Sequence, residues 1–345
     1  METRWILGVA VAIALLAVAG RAWLGPVLTR RWRGWREVRR RALFEDALKH
    51  ILSRKHQGRG ASPESLGGAL GLPQRRVLDL IMRMETAGFV TSHGGMLHLS
   101  EAGERWALQV VRAHRLWETY LRVEAKMPLA RLHQAAERAE HSLTAERLDE
   151  LDATLGHPAR DPHGDPIPSA SGDVKPLEAT PLTDWPVGLA GQVVHIEDEP
   201  ASVFQKIPSE ALRPGVAVRV LERGPDHIRI SNGEREFDLP PAVAANVHLT
   251  SVGDGGPSEG LVPLSELQVG EEAEMVAIDS AIQGFSRRRL LDLGLTPGAR
   301  IRPRLDNVFG DPRAFSVRGT TIALRTEQAS KIWVRRPLEQ RVDAR

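Results

Sequence analysis

The 345-residue chain contains no cysteine at all. Disulfides, thiolate zinc sites and thiol catalysis are excluded together, so any metal must be held by histidine and carboxylate. The arrangements of an enzyme are also missing. No Ser/His/Asp set or carboxylate pair recurs on an identifiable scaffold, and no glycine-rich phosphate loop follows a strand. A basic surface is absent from the bulk of the protein as well. Net charge is +2, yet residues 1–60 hold 13 Lys and Arg against 4 Asp and Glu, which leaves 33 against 40, or −7, for the rest. A globally basic nucleic-acid binder spreads its charge over the folded part. The length exceeds what one core usually organises, so two or three modules are expected.

What is present begins with an apolar run. "WILGVAVAIALLAVAG", Trp5–Gly20, is 16 residues without a charge. That is short of the roughly 20 needed to cross a bilayer, but Arg21 can snorkel and "AWLGPVL" extends the stretch. Residues 1–28 therefore read as a transmembrane helix, followed by a basic juxtamembrane segment, 29–42, with Arg30, Arg31, Arg33, Arg36, Arg39, Arg40 and Arg41. Only Arg4 precedes the span, so the positive-inside rule predicts a single-pass membrane protein with its soluble domains in the cytoplasm. A cleaved signal peptide competes, because "AVA" at Ala17–Ala19 has the small-x-small pattern, although the arginine run just after the span opposes export.

Residues 43–100 turn helical. "ALFEDALKHILSRK" places Leu43, Ala47, Leu48, Ile51 and Leu52 on one helix face. Ser62 and Pro63 open a second helix as N-cap and first residue, and "PQRRVLDLIMRMETAG" forms a third that ends at Gly88. "FVTSHGGMLHLS" reads as a hairpin about His93-Gly94-Gly95. This is the order of a winged helix-turn-helix, whose third helix would enter the major groove. Gln74, Arg75, Arg76 and Arg83 suit DNA. Leu78, Asp79 and Leu80, however, occupy turns where polar or basic residues would meet bases and phosphates, so a winged helix kept for protein docking is the competing reading.

Two later stretches pair imidazole with carboxylate. Ser100 caps a long helix carrying His114 and Glu118 at i and i+4, and "HQAAERAEH" places His133, Glu137, Glu140 and His141 at i, i+4, i+7 and i+8. Any single pair is as well explained by a solvated helix face. Six together offer mixed nitrogen and oxygen ligands suited to Mn(II), Fe(II), Zn(II) or Co(II).

Over residues 43–168, the winged helix, "AHRLWETYL" and "HQAAERAEHSLTAERLDELDATLGHPARDPHGDPIP" resemble the DtxR/MntR family of metal-dependent repressors. The resemblance implies a helical metal-binding and dimerisation domain over 101–168. It implies an ancillary metal site of His114, Glu118 and His133, and a primary site of Glu137, Glu140 and His141 with Asp46. Iron-type members carry Met and Cys at the positions of Asp46 and Glu137, so oxygen replaces sulfur here as in the manganese type. Lys49, however, stands where the manganese type has a second N-terminal Glu. The oxygen-rich set favours Mn(II) or Fe(II) as cofactor. Metal bridging the first helix to the dimerisation helices would set two recognition helices at the spacing of operator half-sites.

The C-terminal half is an internal repeat. A linker, 169–181, precedes short alternating strands over 182–250, and a second linker, 251–260, precedes another set over 261–335. "TDWPVGLAGQVVHI" corresponds to "SELQVGEEAEMVAI", and "ALRPGVAVRVLER" to "GLTPGARIRPRLD". The second copy resembles FeoA, the SH3-like module associated with ferrous iron uptake, most recognisably at "RRRLLDLGLTPG". In the DtxR family a similar domain adds oxygen ligands to the ancillary site, a role Glu197 or Glu199 would take here. The expected fold is thus multidomain α+β: an N-terminal transmembrane helix, a winged helix-turn-helix, a helical dimerisation domain and two small SH3-like β-barrels. The expected function is that of a membrane-anchored, homodimeric regulator that binds operator DNA when loaded with metal. The alternative is a cytosolic sensor that regulates a membrane iron or manganese transporter by contact, without binding DNA.

Overall fold

The computed structural model describes residues 38–208, 211–251, 261–279, 282, 284–305 and 311–337. The expected membrane span at 1–28, and the arginines from Arg30 to Arg36, lie outside them. Among the described residues no helix is long and apolar enough to cross a membrane. The chain divides into two units, Met1–Val110 and Val111–Arg345.

In the first unit, α1 (38–56) buries Ala47, Leu48, Ile51 and Leu52 along one face. α2 (Pro63–Leu70) starts where Ser62 accepts from the Ser65 amide and the Ser65 hydroxyl accepts in return from the Ser62 amide. α3 (Gln74–Thr86) buries Val77, Leu80, Ile81 and Met84, at i, i+3, i+4 and i+7. β1 (Val90–His93) and β2 (Met96–Leu99) pair antiparallel with His93 opposite Met96. The two-residue turn between them needs positive φ at both positions, which Gly94 and Gly95 supply at 58° and 77°. Leu97 bridges to Ala61, completing the wing. Leu80, expected on the outer face of α3, is a core residue at 7% exposure, three residues after Val77 on the same apolar seam.

α4 (Glu101–Val123) starts where the Ser100 hydroxyl accepts from the Gly103 amide and runs on into the second unit. α5 (Leu132–Ala139) follows, and Glu140–Ser142 tightens into a 3-10 turn. The single helix face expected from His133 to His141 is therefore interrupted after Ala139, and a tighter pitch turns the last two ligand candidates relative to the first two. α6 (Ala145–Thr154) is held to α4 by buried Arg112, which reaches Asp149 at 2.6 Å and Asp152 at 3.0 Å. Ala113, Leu116, Leu148 and Leu155 pack between them.

Two six-stranded antiparallel sheets follow. The first comprises β3 (Thr180–Pro181), β4 (Ala190–Ile196), β5 (Ala217–Arg223), β6 (Ile228–Ser231), β7 (Glu236–Leu239) and β8 (Val247–Ser251), ordered β3-β8-β4-β5-β6-β7. Short helices α7 (Ala201–Phe204) and α8 (Pro241–Ala244) lie in its connections. The second comprises β9 (Leu261–Pro263), β10 (Ala273–Ile278), β11 (Arg300–Leu305), β12 (Arg313–Val317), β13 (Thr320–Leu324) and β14 (Ile332–Arg335), ordered β9-β14-β10-β11-β12-β13. α9 (Gly284–Asp292) and α10 (Thr326–Ala329) lie in its connections. The two orders correspond strand for strand, so the sequence repeat is a repeat of topology.

Each sheet has its own apolar core, and each is fastened to the helices by a different device. Leu129 and Leu132, leading into α5, belong to the core of the first sheet. The second sheet docks through α9. Arg287 donates to the Gly156 carbonyl at 2.9 Å, Arg288 to the Ala153 carbonyl at 3.1 Å, and the Phe285 amide to Glu124 Oε1 at 2.9 Å. Guanidinium groups thus sit on carbonyls at the C-terminal end of α6, where the helix dipole favours positive charge.

Candidate metal centre

His114 and Glu118 lie one turn apart on α4, both buried, with His114 Nε2 3.2 Å from Glu118 Oε1. Packing of Leu129 and Leu132 on the first sheet brings His133 of α5 toward the end of β4. There His133 Nδ1 lies 2.9 Å from Asp198 Oδ2 and 3.8 Å from Glu118 Oε1, while its Nε2 lies 3.4 Å from Glu137 and 3.5 Å from Glu199. His114 also bonds Glu140, which is buried, and His141 Nε2 stands 3.7 Å from Glu140 Oε1. Glu137 therefore sits beside His133, whereas Glu140 and His141 form their own group with His114. Asp46, half-buried on α1, belongs to the first unit.

A third element reaches the centre from the "DPHGDP" loop. Asp161 accepts from the His163 and Asp165 amides, both at 2.9 Å, which winds the loop into a tight turn. Gly164 has φ +97°, and a Cβ there would lie 1.9 Å from the Val194 carbonyl oxygen. Only glycine lets the loop lie flat on β4, where the Ile196 amide donates to the His163 carbonyl at 2.8 Å. His163 is thereby aimed inward. Its Nδ1 lies 3.4 Å from Glu118 Oε2 and 3.9 Å from Asp198 Oδ2, and its side chain is 1% exposed.

Two overlapping groups result, His114 with Glu118 and His133, and Glu118 with His163 and Asp198, each offering ligand atoms within 4.8 Å of one another. Glu118 is common to both. The charges are arranged for a cation. Burial alone would protonate Glu118, but hydrogen bonds and positive charge from His114 and His163 hold it well below the ordinary carboxylate range. Burial likewise disfavours a charged His133, yet Asp198, Glu137 and Glu199 push it up to about 12. His163 is pushed up to about 9, again against burial, chiefly by Glu118. Asp161 moves the other way: complete burial, with Asp165 and Glu118 nearby, raises it well above the ordinary range.

The residues fit a divalent ion. His163 Nε2 is buried without a hydrogen-bond partner, and the buried Glu118 Oε1 and His133 Nδ1 have only His114 Nε2 at 3.2 Å and Asp198 Oδ2 at 2.9 Å beside them. Buried polar atoms left unpaired by the protein are costly, and a shared cation relieves all of them. The donors are oxygen and imidazole only. Such an ion would be held by His114, Glu118, His133, His163 and Asp198, with Glu137 and Glu199 at its outer edge.

Sequence reasoning missed three contributors: His163, Asp161 and Asp198. The first two lie in a motif that had been noticed only as a match in pattern. Glu197, offered as an ancillary oxygen, points elsewhere, its Oε2 3.8 Å from His195 Nε2, and the position after it faces the centre instead. Glu199 does approach. The DNA candidates Gln74, Arg75, Arg76 and Arg83 are all exposed on α3, with Leu78 and Met82 beside them.

Residues 100–169 match the family described as iron dependent repressor, metal binding and dimerisation domain, and residues 262–336 match the FeoA domain. The chain is similar to the iron-dependent repressor IdeR of Mycobacterium leprae, 29% identical over 192 residues, covering 51% of this chain and 83% of that protein. It is also similar to a solved manganese-dependent transcriptional repressor in complex with manganese, at 30% identity with a TM-score of 0.55, covering 61% of this chain and all of the other. A stretch of 79 residues is 40% identical to a probable metal transport system membrane protein of Chlamydia trachomatis, of which the chain spans only 17%.

Proposed function

Because the chain belongs to the DtxR/MntR family of metal-dependent repressors and carries a FeoA domain, we propose that it is a metal-sensing transcriptional regulator that binds operator DNA as a dimer loaded with Mn(II) or Fe(II). Members of this family are repressors rather than enzymes, and they bind divalent iron or manganese. The observation that carries the reading is the convergence of Glu118, His133 and His163, drawn from two helices and a loop, with Asp198 just past β4, their ligand atoms within a few ångströms of one another. An ion there takes the place of the protons on His133 and His163, and so fixes α4, α5 and the sheet as one body. Loading then sets the separation of two α3 helices in the dimer, which present Gln74, Arg75, Arg76 and Arg83 to the groove. Residues 1–28 tether the regulator to the membrane, with its domains in the cytoplasm.

A gel-shift of the full chain on its own promoter region tests this. Retardation with Mn(II) or Fe(II), reversed by chelator and lost in Arg76→Ala, is the expected result. No metal-dependent shift on any fragment of that region would overturn it.

The second reading is a sensor that regulates an iron or manganese transporter by contact. It draws on exposed Leu78 and Met82, 49% and 62% exposed, beside acidic Asp79 on the face of α3 that would read DNA. The 79-residue likeness to a metal transport system protein adds to it. Metal-dependent co-purification with a transporter, without a gel-shift, favours this reading.

A further inference from the structure

On the far side of the "DPHGDP" loop, the first sheet carries a second group of metal-ligating side chains that the centre above does not use. His195 of β4 and His248 of β8 are directly opposite each other across the antiparallel pair, their ring centroids 5.2 Å apart. Glu197, two residues beyond His195, brings Oε2 to 3.8 Å from His195 Nε2. Behind the ring, Asp165 Oδ2 lies 3.7 Å from His195 Nδ1. His195 is 8% exposed, and its Nδ1 is buried without a hydrogen-bond partner. This deeply set histidine has carboxylates near both nitrogens and a second imidazole beside it.

The repeat supplies a control within the same chain. In both copies the register slips at the same place, between Val193 and His195 in β4 and between Met275 and Ala277 in β10. The backbone beyond is also the same, the Glu197 amide donating to the Asn246 carbonyl and the Asp279 amide to the Lys331 carbonyl, each at 2.8 Å. Yet the pair opposite each other at the bulge is His195 and His248 in the first copy, and Ala277 and Trp333 in the second. The fold thus has no need of histidine at either position. A bulge re-aims a side chain, and here it re-aims a ligand type that only one copy carries.

We propose that His195, Glu197 and His248 form a further divalent-metal site on the first sheet, with Asp165 orienting His195 from behind. Two imidazoles and one carboxylate suit an ion of borderline softness such as Zn(II), Co(II) or Ni(II). Asp165, 3.7 Å from the far nitrogen, stands on the side where metal-bound histidines ordinarily have a carboxylate partner. Asp165 is itself held by Arg115 at 3.2 Å and shares the loop with His163. Filling the site therefore clamps onto β4 the same loop that delivers His163 to the main centre.

The test is calorimetric titration of the full chain with Zn(II) alone, comparing the natural protein with His248→Trp, which installs the residue of the second copy, and with Glu197→Gln. Neither change touches a ligand of the main centre. The expected result is one fewer equivalent of Zn(II) per chain in His248→Trp, and at least tenfold weaker binding of that equivalent in Glu197→Gln. Should His248→Trp lose its circular dichroism spectrum, Glu197→Gln decides, since that side chain is half-exposed. Unchanged stoichiometry and affinity in the folded variants would overturn the site and leave only an imidazole–carboxylate cluster.

Discussion

Entry of one Mn(II) into the centre at Glu118 should expel at least two protons at pH 7.5, one each from His133 and His163. Ordinary histidines, with a pKa of 6.5, would already be neutral there and would release almost none. In the metal-free protein, however, His133 stands at about 12 and His163 at about 9. Burial opposes both shifts, and the facing carboxylates, Asp198 for one ring and Glu118 for the other, outweigh it. Both rings are therefore protonated at pH 7.5, and an imidazole must give up its proton before it can ligate. For His163 a pKa of about 9 makes deprotonation at pH 7.5 cost roughly 2 kcal/mol, which the ion has to overcome. Apparent affinity should accordingly rise about a hundredfold per pH unit between pH 6.5 and 9. The assay is calorimetry in buffers of different ionisation enthalpy, on His141→Ala protein so that the group around Glu140 stays silent. His163→Gln should lower the release by about one proton per ion. Release below one proton in the parent, or no change in His163→Gln, would refute the argument that protonated imidazoles occupy the place of the ion.

The same shifts bear on stability. A folded-state pKa raised above the unfolded value contributes stability that is complete below pH 6.5 and is lost as pH climbs through about 9, so the metal-free melting temperature should fall over that window. Saturating Mn(II) should flatten the fall, which scanning calorimetry at several pH values would reveal. Gly164→Ala forces a Cβ to within 1.9 Å of the Val194 oxygen at positive φ. It should cost about 2–4 kcal/mol in urea melts and remove the Mn(II)-induced rise in melting temperature, since His163 is displaced with the loop. Ser62→Ala breaks the reciprocal cap of α2 and should cost about 1 kcal/mol while leaving the Mn(II) response intact. An altered Mn(II) response there would mean that the cap and the centre are coupled.

Local chemistry made much of this protein legible in one dimension. The caps at Ser62 and Ser100, the paired glycines of the wing, and the i, i+4 placement of His114 and Glu118 depend only on neighbours a few residues away, and the structure carries each of them. The internal repeat could be read because equal sequences fold to equal sheets. The absence of cysteine restricted any centre to nitrogen and oxygen ligands before a coordinate was known.

Tertiary structure alone decided which residues join the centre. Strand alternation says that Glu197 and Glu199 share a face, but β4 ends at Ile196 and the alternation ends with it. Asp198 turns to His133 in consequence, and Glu197 turns away to His195. His163 is 45 residues from Glu118 in sequence, and it arrives only because glycine at 164 allows the loop to lie against β4. Likewise α5 tightens after Ala139, so that four candidates expected on one face divide between two groups. Sequence spacing determines what a single helix or turn presents. Where separate elements meet is set by packing among all of them, by Leu129 and Leu132 seated in the core of the first sheet, and no pattern along the chain contains that.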